Sequence, residues 1–246
     1  MNQHDRLYDN PEPPEPFCFN EAVATVFPNM IQRSVPGYSF CLTQIKQIAL
    51  SYSQPNSTIF DLGCSLGAIT LSLREGIIQS GHASSIKIQA IDSSPAMIQR
   101  AKENISAFSP TVAIELHCED IIKTSIENAS IVVLAYTLQF IELNKRKELL
   151  RKIFLGLKDQ GVFILIEKTH EADNQIQNLV TNLHHEFKRN NGYSELEIAQ
   201  KRQALENVLI TETCADHEQR MREVGFKHYT IFAKHLAFTF WIAIKA

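Results

Sequence analysis

Asp61-Leu62-Gly63-Cys64-Ser65-Leu66-Gly67 follows directly on the apolar run Thr58-Ile59-Phe60. Together they read as a short buried strand that ends in a glycine turn and opens a helix. Glycine lets backbone approach a ligand closely, and the first turn of a helix carries amides with no intrahelical acceptor. The stretch is not G-x-G-x-x-G and lacks a Walker lysine, which weakens the dinucleotide and triphosphate readings.

Outward from this turn, strands alternate with helices. Residues 86–91 form a second strand that stops at Asp92, and Ser94-Pro95 then starts a helix, with Ser94 as N-cap and Pro95 at the first helical position. Residues 112–116, 129–134 and 162–166 supply three more strands. The segment 144–157 sets Leu149, Leu150, Ile153, Phe154 and Leu157 on one helix face. Such alternation predicts a parallel sheet with helices on both faces.

Upstream, the prolines at 11, 13, 14 and 16 predict a loose arm over residues 1–17, and residues 20–49 read as two helical pieces broken at Pro36-Gly37. Downstream of Lys168, a face of Ile176, Leu179, Val180, Leu183 and Phe187 marks one helix, and Ser194 with Glu197 makes a capping box for another. Residues 170–212 are therefore an extra helical insert, read as a lid, an interface, or both. A last helix ends at Gly225, and strands near 226–233 and 238–245 close the chain as an antiparallel edge. The whole, 1–246, reads as a single domain.

Two acidic positions complete the pattern. Asp92 at the second strand's end can accept hydrogen bonds from both ribose hydroxyls, and Asp120-Ile121 after the third can contact an adenine amino group and cover its ring. Singly, the glycines serve a turn and Asp92 a helix cap. In this order at successive strand ends, they read as a nucleoside cofactor site.

Composition narrows the class. With 44% hydrophobic and 21% charged residues and a net charge of −3, the 246-residue chain has no basic footprint for nucleic acid. It shows no apolar run of about 18 residues for a membrane span and no secretory leader. The five scattered cysteines form no C-x-x-C pair. The expectation is a reduced, cytoplasmic protein without metal, membrane or direct nucleic-acid partner.

The glycine turn and its acidic partners resemble the class I S-adenosylmethionine-dependent methyltransferases, whose fold is a Rossmann-like, mostly parallel seven-stranded sheet with an antiparallel terminal strand. A narrower resemblance rests on Val26-Phe27-Pro28-Asn29-Met30-Ile31-Gln32-Arg33-Ser34-Val35-Pro36-Gly37-Tyr38, on Thr137-Leu138-Gln139-Phe140, on His184-His185-Glu186-Phe187-Lys188-Arg189, and on Asn191-Gly192-Tyr193-Ser194-Glu195-Leu196-Glu197-Ile198. Gln200-Lys201-Arg202 and Leu205-Glu206-Asn207-Val208 extend it. These stretches are similar to the carboxy-S-adenosylmethionine synthases. That resemblance implies a homodimer that takes S-adenosylmethionine and prephenate to carboxy-S-adenosylmethionine and phenylpyruvate, the product serving wobble-uridine modification of transfer RNA. It implies that Arg202 binds the new carboxylate and acts in catalysis, and that Tyr38 contacts the cofactor. It places Gly63, Cys64 and Ser65 on the methionine-side turn, Asp92 and Ser93 at the ribose, and Asp120 and Ile121 at the adenine. Arg33, near Tyr38 in sequence, is a further expected prephenate partner.

One departure stands out. Where the family has a cofactor-contacting asparagine followed by phenylalanine, this chain has Ala135-Tyr136, so Ala135 is expected to line the pocket through backbone alone, with the Tyr136 hydroxyl as a possible replacement. That change keeps an ordinary small-molecule methyltransferase and a non-enzymatic S-adenosylmethionine-binding protein as alternatives. His184-His185 point in different directions on a helix, so one is expected to pack and the other to be exposed. Tyr193 is read as part of a subunit contact.

Overall fold

The computed structural model describes residues 5–10 and 12–246. Two helices, α1 (Glu21–Ser34) and α2 (Tyr38–Tyr52), precede the sheet. They are separated where expected, at Gly37, whose φ of 79° is a left-handed conformation open to glycine. The strands β1 (Ser57–Leu62), β2 (Ile86–Asp92), β3 (Ala113–Cys118), β4 (Ala129–Ala135) and β5 (Leu157–Lys168) are mutually parallel. Helices α3 (Ala68–Ser80), α4 (Pro95–Ser106) and α5 (Leu143–Gly156) serve as crossovers. Helices α6 (Asn174–Asn190), α7 (Glu195–Leu205) and α8 (Cys214–Val224) follow, then β6 (His228–His235) and β7 (Phe238–Ile244).

The sheet order is β3-β2-β1-β4-β5-β7-β6, with β7 antiparallel to both its neighbours. This is the class I methyltransferase arrangement predicted from the sequence. β4 is buried at every position and β3 alternates between exposed and half-buried, as a central and an edge strand should. Two apolar clusters cover the two faces, one gathering α5 and α8 around Leu134, Leu150 and Trp241, the other α2 and α3 around Ile45, Leu73 and Ile164. The order reverses between β1 and β4, which opens a crevice beyond their carboxyl ends.

The arm departs from expectation. Positions 1–4 and 11 lie outside the described residues, but Asp5 and Tyr8 are buried, and the Phe17 amide donates to the Ala204 carbonyl at 2.8 Å. Proline forbids helix, not packing. Here Asp5 is pinned by the Tyr193 hydroxyl at 2.6 Å and by its own amide donating to Asn29 at 3.0 Å.

The insert is stitched down at both ends. Its capping box at Ser194 and Glu197 forms as predicted. Its return to the core rests on a buried Arg146, which no local sequence signal singles out. The guanidinium donates to the carbonyls of Ile141 and Ile210 at 2.9 Å each and pairs at closest contact with Glu212, itself also held by Arg220.

Candidate functional site

A cavity of about 440 Å³ lies in that crevice, roofed by the arm and the insert. Its volume falls in the range of about 300–1,000 Å³ usual for small-molecule sites. A larger depression of about 630 Å³ occupies the opposite end of the sheet around Glu148, Lys152 and Lys158, but it is more open and gathers none of the expected residues.

Of the residues expected at a nucleoside, Tyr38, Gly63, Cys64, Ser65, Asp92, Ser93, Asp120, Ile121 and Ala135 all line the cavity. The turn holds its shape by internal bonding: the amides of Gly63 and Cys64 both donate to the Ile91 carbonyl at 2.8 Å, and that of Ser65 to Asp92 at 2.9 Å. These amides are therefore occupied, and the free donors expected of the motif are those of the helix N-terminus that follows, where α3 begins at Ala68. What the turn offers is close approach. Gly63 has a φ of 83°, and a Cβ there would overlap Thr137.

Asp92 accepts from the Ser65 and Ser94 amides at 2.9 Å each, one on each oxygen, which orients the carboxylate and leaves further lone pairs for a ligand. Burial raises its pKa, and those two amides oppose the rise. Ser94 caps α4 as predicted and also donates to the Phe19 carbonyl at 2.5 Å, tying the arm to the site. Asp120 is exposed with one oxygen on the Ile122 amide, while Ile121 is buried. Phe17, Phe19 and Phe140 pack together nearby, with Phe17 and Phe19 edge-on at 4.9 Å. Two carboxylates, a serine hydroxyl and an apolar wall match the hydroxyls, amine and ring of an adenosine, so the donor set fits S-adenosylmethionine. Burial, with Asp61 and Asp92 nearby, pushes the Cys64 thiol far up, so it is no thiolate nucleophile.

Beneath the turn, two carboxyls that the sequence left unread are fully enclosed. Asp61 receives the Thr70 hydroxyl at 2.6 Å, and Glu167 accepts the amides of Thr137, Leu138 and Gln139. Desolvation raises them to about 7 and about 8, against the lowering effect of those bonds. Glu167 thereby shapes the single 3-10 turn Leu138–Phe140 that follows Ala135.

Ala135 contributes a methyl wall, and its carbonyl accepts the Thr137 hydroxyl at 3.0 Å. The Tyr136 hydroxyl does not replace the asparagine. It donates to the Cys41 sulfur at 3.5 Å, while its ring lies against Tyr38 and Phe238 at 6.1 Å each.

Arg202 is exposed and does not line the cavity within its own chain; on α7 successive residues point about 100° apart, and it is Lys201 that faces inward. Two further expectations are corrected. Arg33 is buried and committed to structure: it donates to the carbonyls of Asn191 and Gly192 at 2.8 and 2.6 Å and stacks on Tyr193 at 3.9 Å. Tyr193 is itself buried against Asp5, inside the chain rather than on a subunit face. Of the histidine pair, His184 packs and His185 is half-exposed; His184 donates Nε2 to the Ser34 carbonyl at 2.8 Å, and burial holds it neutral with a pKa near 3.

The far end of the cavity is lined by Lys168, His184, Lys188 and Lys201. None of these lysines was singled out from sequence, because they lie in three separate segments and only the fold brings them together.

Comparison with known proteins fits this geometry. A family model described as a methyltransferase domain matches residues 59–161. The chain is 46% identical to the carboxy-S-adenosyl-L-methionine synthase of Idiomarina loihiensis over the full length of both, and 48% identical to that of Hydrogenovibrio crunogenus over 98% of this chain and 95% of the relative. The chain belongs to the carboxy-S-adenosyl-L-methionine synthase family. Among solved structures, an O-methyltransferase family protein from Burkholderia thailandensis aligns with a TM-score of 0.66 at 13% identity, covering 94% of this chain and 64% of that one. Human N-acetylserotonin methyltransferase in complex with SAM aligns at 0.62 and 17%, over 92% of this chain and 57% of its own length. At such identities the structural likeness speaks for the fold alone.

Proposed function

We propose that this chain is a carboxy-S-adenosyl-L-methionine synthase that converts S-adenosylmethionine and prephenate into carboxy-S-adenosylmethionine and phenylpyruvate, for later use on wobble uridine. The observation that carries the reading is a single cavity with a nucleoside-type end at Asp92 and Asp120 and a cationic end at the insert.

S-adenosylmethionine supplies the sulfonium-bound methyl that receives the carboxyl group. The chain's own residues bind, orient and exclude water. Asp92 and Ser93 hold the ribose, Asp120 and Ile121 the adenine, and Gly63 to Ser65 pass close beneath the methionine side. Tyr38 closes this end, its hydroxyl kept protonated by burial beside Asp61. The arm and α6–α7 cover the crevice, which suits chemistry that water would quench. Arg202 adds positive charge near Lys168 from outside the lining.

The homodimer is proposed at α6, where Ile176, Leu179 and Leu183 stand about half exposed in a row, with Phe40 and Phe232 stacked nearby. No helix of the described residues is long and apolar enough to cross a membrane.

Mass spectrometry of the nucleoside formed from S-adenosylmethionine and prephenate tests the reading. A product heavier than S-adenosylmethionine by one carbon dioxide, formed with equimolar phenylpyruvate, is expected. S-adenosylhomocysteine with a methylated product would overturn it in favour of ordinary methyl transfer.

A further inference from the structure

The cavity is electrically lopsided. Its only acidic lining residues among those described, Asp92 and Asp120, sit at the strand ends, while Lys168, Lys188 and Lys201 line the other end. These lysines come from three elements: Lys168 is the last residue of β5, Lys188 lies in the last turn of α6, and Lys201 lies on α7.

Their surroundings do not neutralise them. Among the described residues, none forms an ion pair within 4 Å. Lys201 is buried and donates to the neutral oxygens of Ser34 and Tyr193 at 3.2 and 3.3 Å. The charged groups that act on it are Asp5 and Glu197 on one side and Lys188 and Arg33 on the other. Lys168 acts on Lys188 and Arg202 acts on Lys168, each disfavouring its neighbour's charged form; the adjacent Glu167 is spent on the amides of Thr137, Leu138 and Gln139. The buried His184 beside them is neutral and supplies no counter-charge.

Ammonium groups crowded into a low-dielectric pocket repel one another, and each loses hydration. The strain shows as desolvation lowering Lys188 to about 8 and Lys201 to about 7. Such a cluster is relieved when it receives an anion. Lysine suits the task as a point charge on a flexible stem, able to follow two carboxyl groups at once.

We propose that Lys168, Lys188 and Lys201 form a dicarboxylate subsite that seats the second substrate of the cavity. Asp5 and Arg33 offset each other beside Lys201, which leaves at least the two charges of Lys168 and Lys188 for the ligand, the count that a dianion cancels. The subsite rests on the reading that prephenate, with its two carboxylates, is that substrate. It assigns to cavity lysines the anchoring that Arg33 cannot perform.

The test is calorimetric titration of prephenate, and separately of the monocarboxylate phenylpyruvate, into protein saturated with S-adenosylhomocysteine, so that no turnover occurs. The wild type is expected to prefer prephenate by about tenfold or more. Lys188→Met and Lys168→Met are each expected to weaken prephenate about 30-fold, the lower end of what removing one member of a buried charge pair costs, and to erase most of the preference. S-adenosylhomocysteine affinity stays within about threefold of wild type, and Lys188→Arg recovers most of the loss. Lys188→Gln replaces the methionine variant if thermal melting shows the latter misfolded. Unchanged prephenate affinity in the folded variants overturns the subsite. A loss that falls on S-adenosylhomocysteine instead also overturns it, assigning the lysines to the methionine carboxylate of the nucleoside. A wild type that binds S-adenosylhomocysteine but neither binds nor consumes prephenate is a different failure, that of the proposed substrate itself.

Discussion

The two ends of the cavity are built on opposite plans. At the nucleoside end, functional groups sit where strands stop, and their supports are near in sequence: Asp92 is oriented by Ser94 two residues on, and Asp120 by Ile122. At the cationic end, the supports are mostly distant. His184 reaches Ser34, Lys201 reaches Ser34, and Tyr193 reaches Asp5, across gaps of 150 to 188 residues. The first plan positions carboxylates by bonding them to backbone amides. The second gives Lys201 only neutral hydroxyl partners and pairs none of the three ammonium groups with a carboxylate within 4 Å among the described residues. A site for a neutral sugar can be pre-satisfied, whereas the proposed site for a dianion keeps its charge free for the ligand.

The sharpest break of that contrast is at Arg146. Removing its guanidinium as Arg146→Met strands the carbonyls of Ile141, Gln139 and Ile210 at the insert's return and leaves Glu212 with Arg220 alone. We expect a loss of about 3–5 kcal/mol in urea unfolding, because each buried acceptor left without its donor costs about 1–3 kcal/mol. If the insert were only loosely attached, the loss would stay under about 1 kcal/mol, as for a surface pair.

Asp92→Ala attacks the other end. Its carboxylate bonds two amides and, in the proposed complex, the ribose, so S-adenosylmethionine affinity should fall about 100-fold, matching one or two hydrogen bonds to a charged group. Prephenate affinity in a nucleoside-saturated sample should move much less. Equal losses at both ends would erase the distinction.

Tyr193→Phe deletes the bond to Asp5 and leaves a buried carboxylate oxygen without its donor. A loss of about 1–3 kcal/mol is expected. Faster proteolytic cleavage within residues 5–17 would show that this bond is what holds the arm.

Titration gives the cleanest sign. Glu167 and Asp61 have folded pKa values raised by burial, to about 8 and about 7, so they weaken the fold as pH rises from the ordinary carboxylate range through those values. Lys188 is depressed to about 8, so its charge weakens the fold most below that pH and the penalty fades as pH climbs towards the ordinary lysine value. Measured against wild type, Glu167→Gln should therefore gain relative stability from pH 5 to 8. Lys188→Met should lose relative stability from pH 7 to 10. Parallel trends would refute the opposite polarity of the two ends.

Much of the first plan was legible in the chain. The glycine turn, the Ser94-Pro95 helix start and the strand-end aspartates are local signals, each a few residues long, and the structure places all of them in one crevice. The strand order was legible only as alternation, and the positions of β3 and β6 slid by one or two residues because edge strands carry little apolar pattern. Arg202 stood out because it sits in a distinctive motif; a helix turns each neighbour about 100°, so within the chain Lys201 faces the cavity and Arg202 faces outward. Arg33 and Tyr193 looked like ligand and interface residues because a charged or aromatic side chain does not announce in sequence whether it will be buried among its own chain's carbonyls.

By itself, then, the sequence determined a class I methyltransferase sheet, a nucleoside site at its carboxyl edge and a helical insert after β5, since periodicity, caps and glycine turns are written over short spans. Tertiary structure alone decided which cations enter the cavity, that Glu167 shapes the turn after Ala135, and that Asp5 and Tyr8 of the arm are buried. Those outcomes depend on contacts between segments more than a hundred residues apart, where burial and unmet charge arise only once the chain has closed on itself.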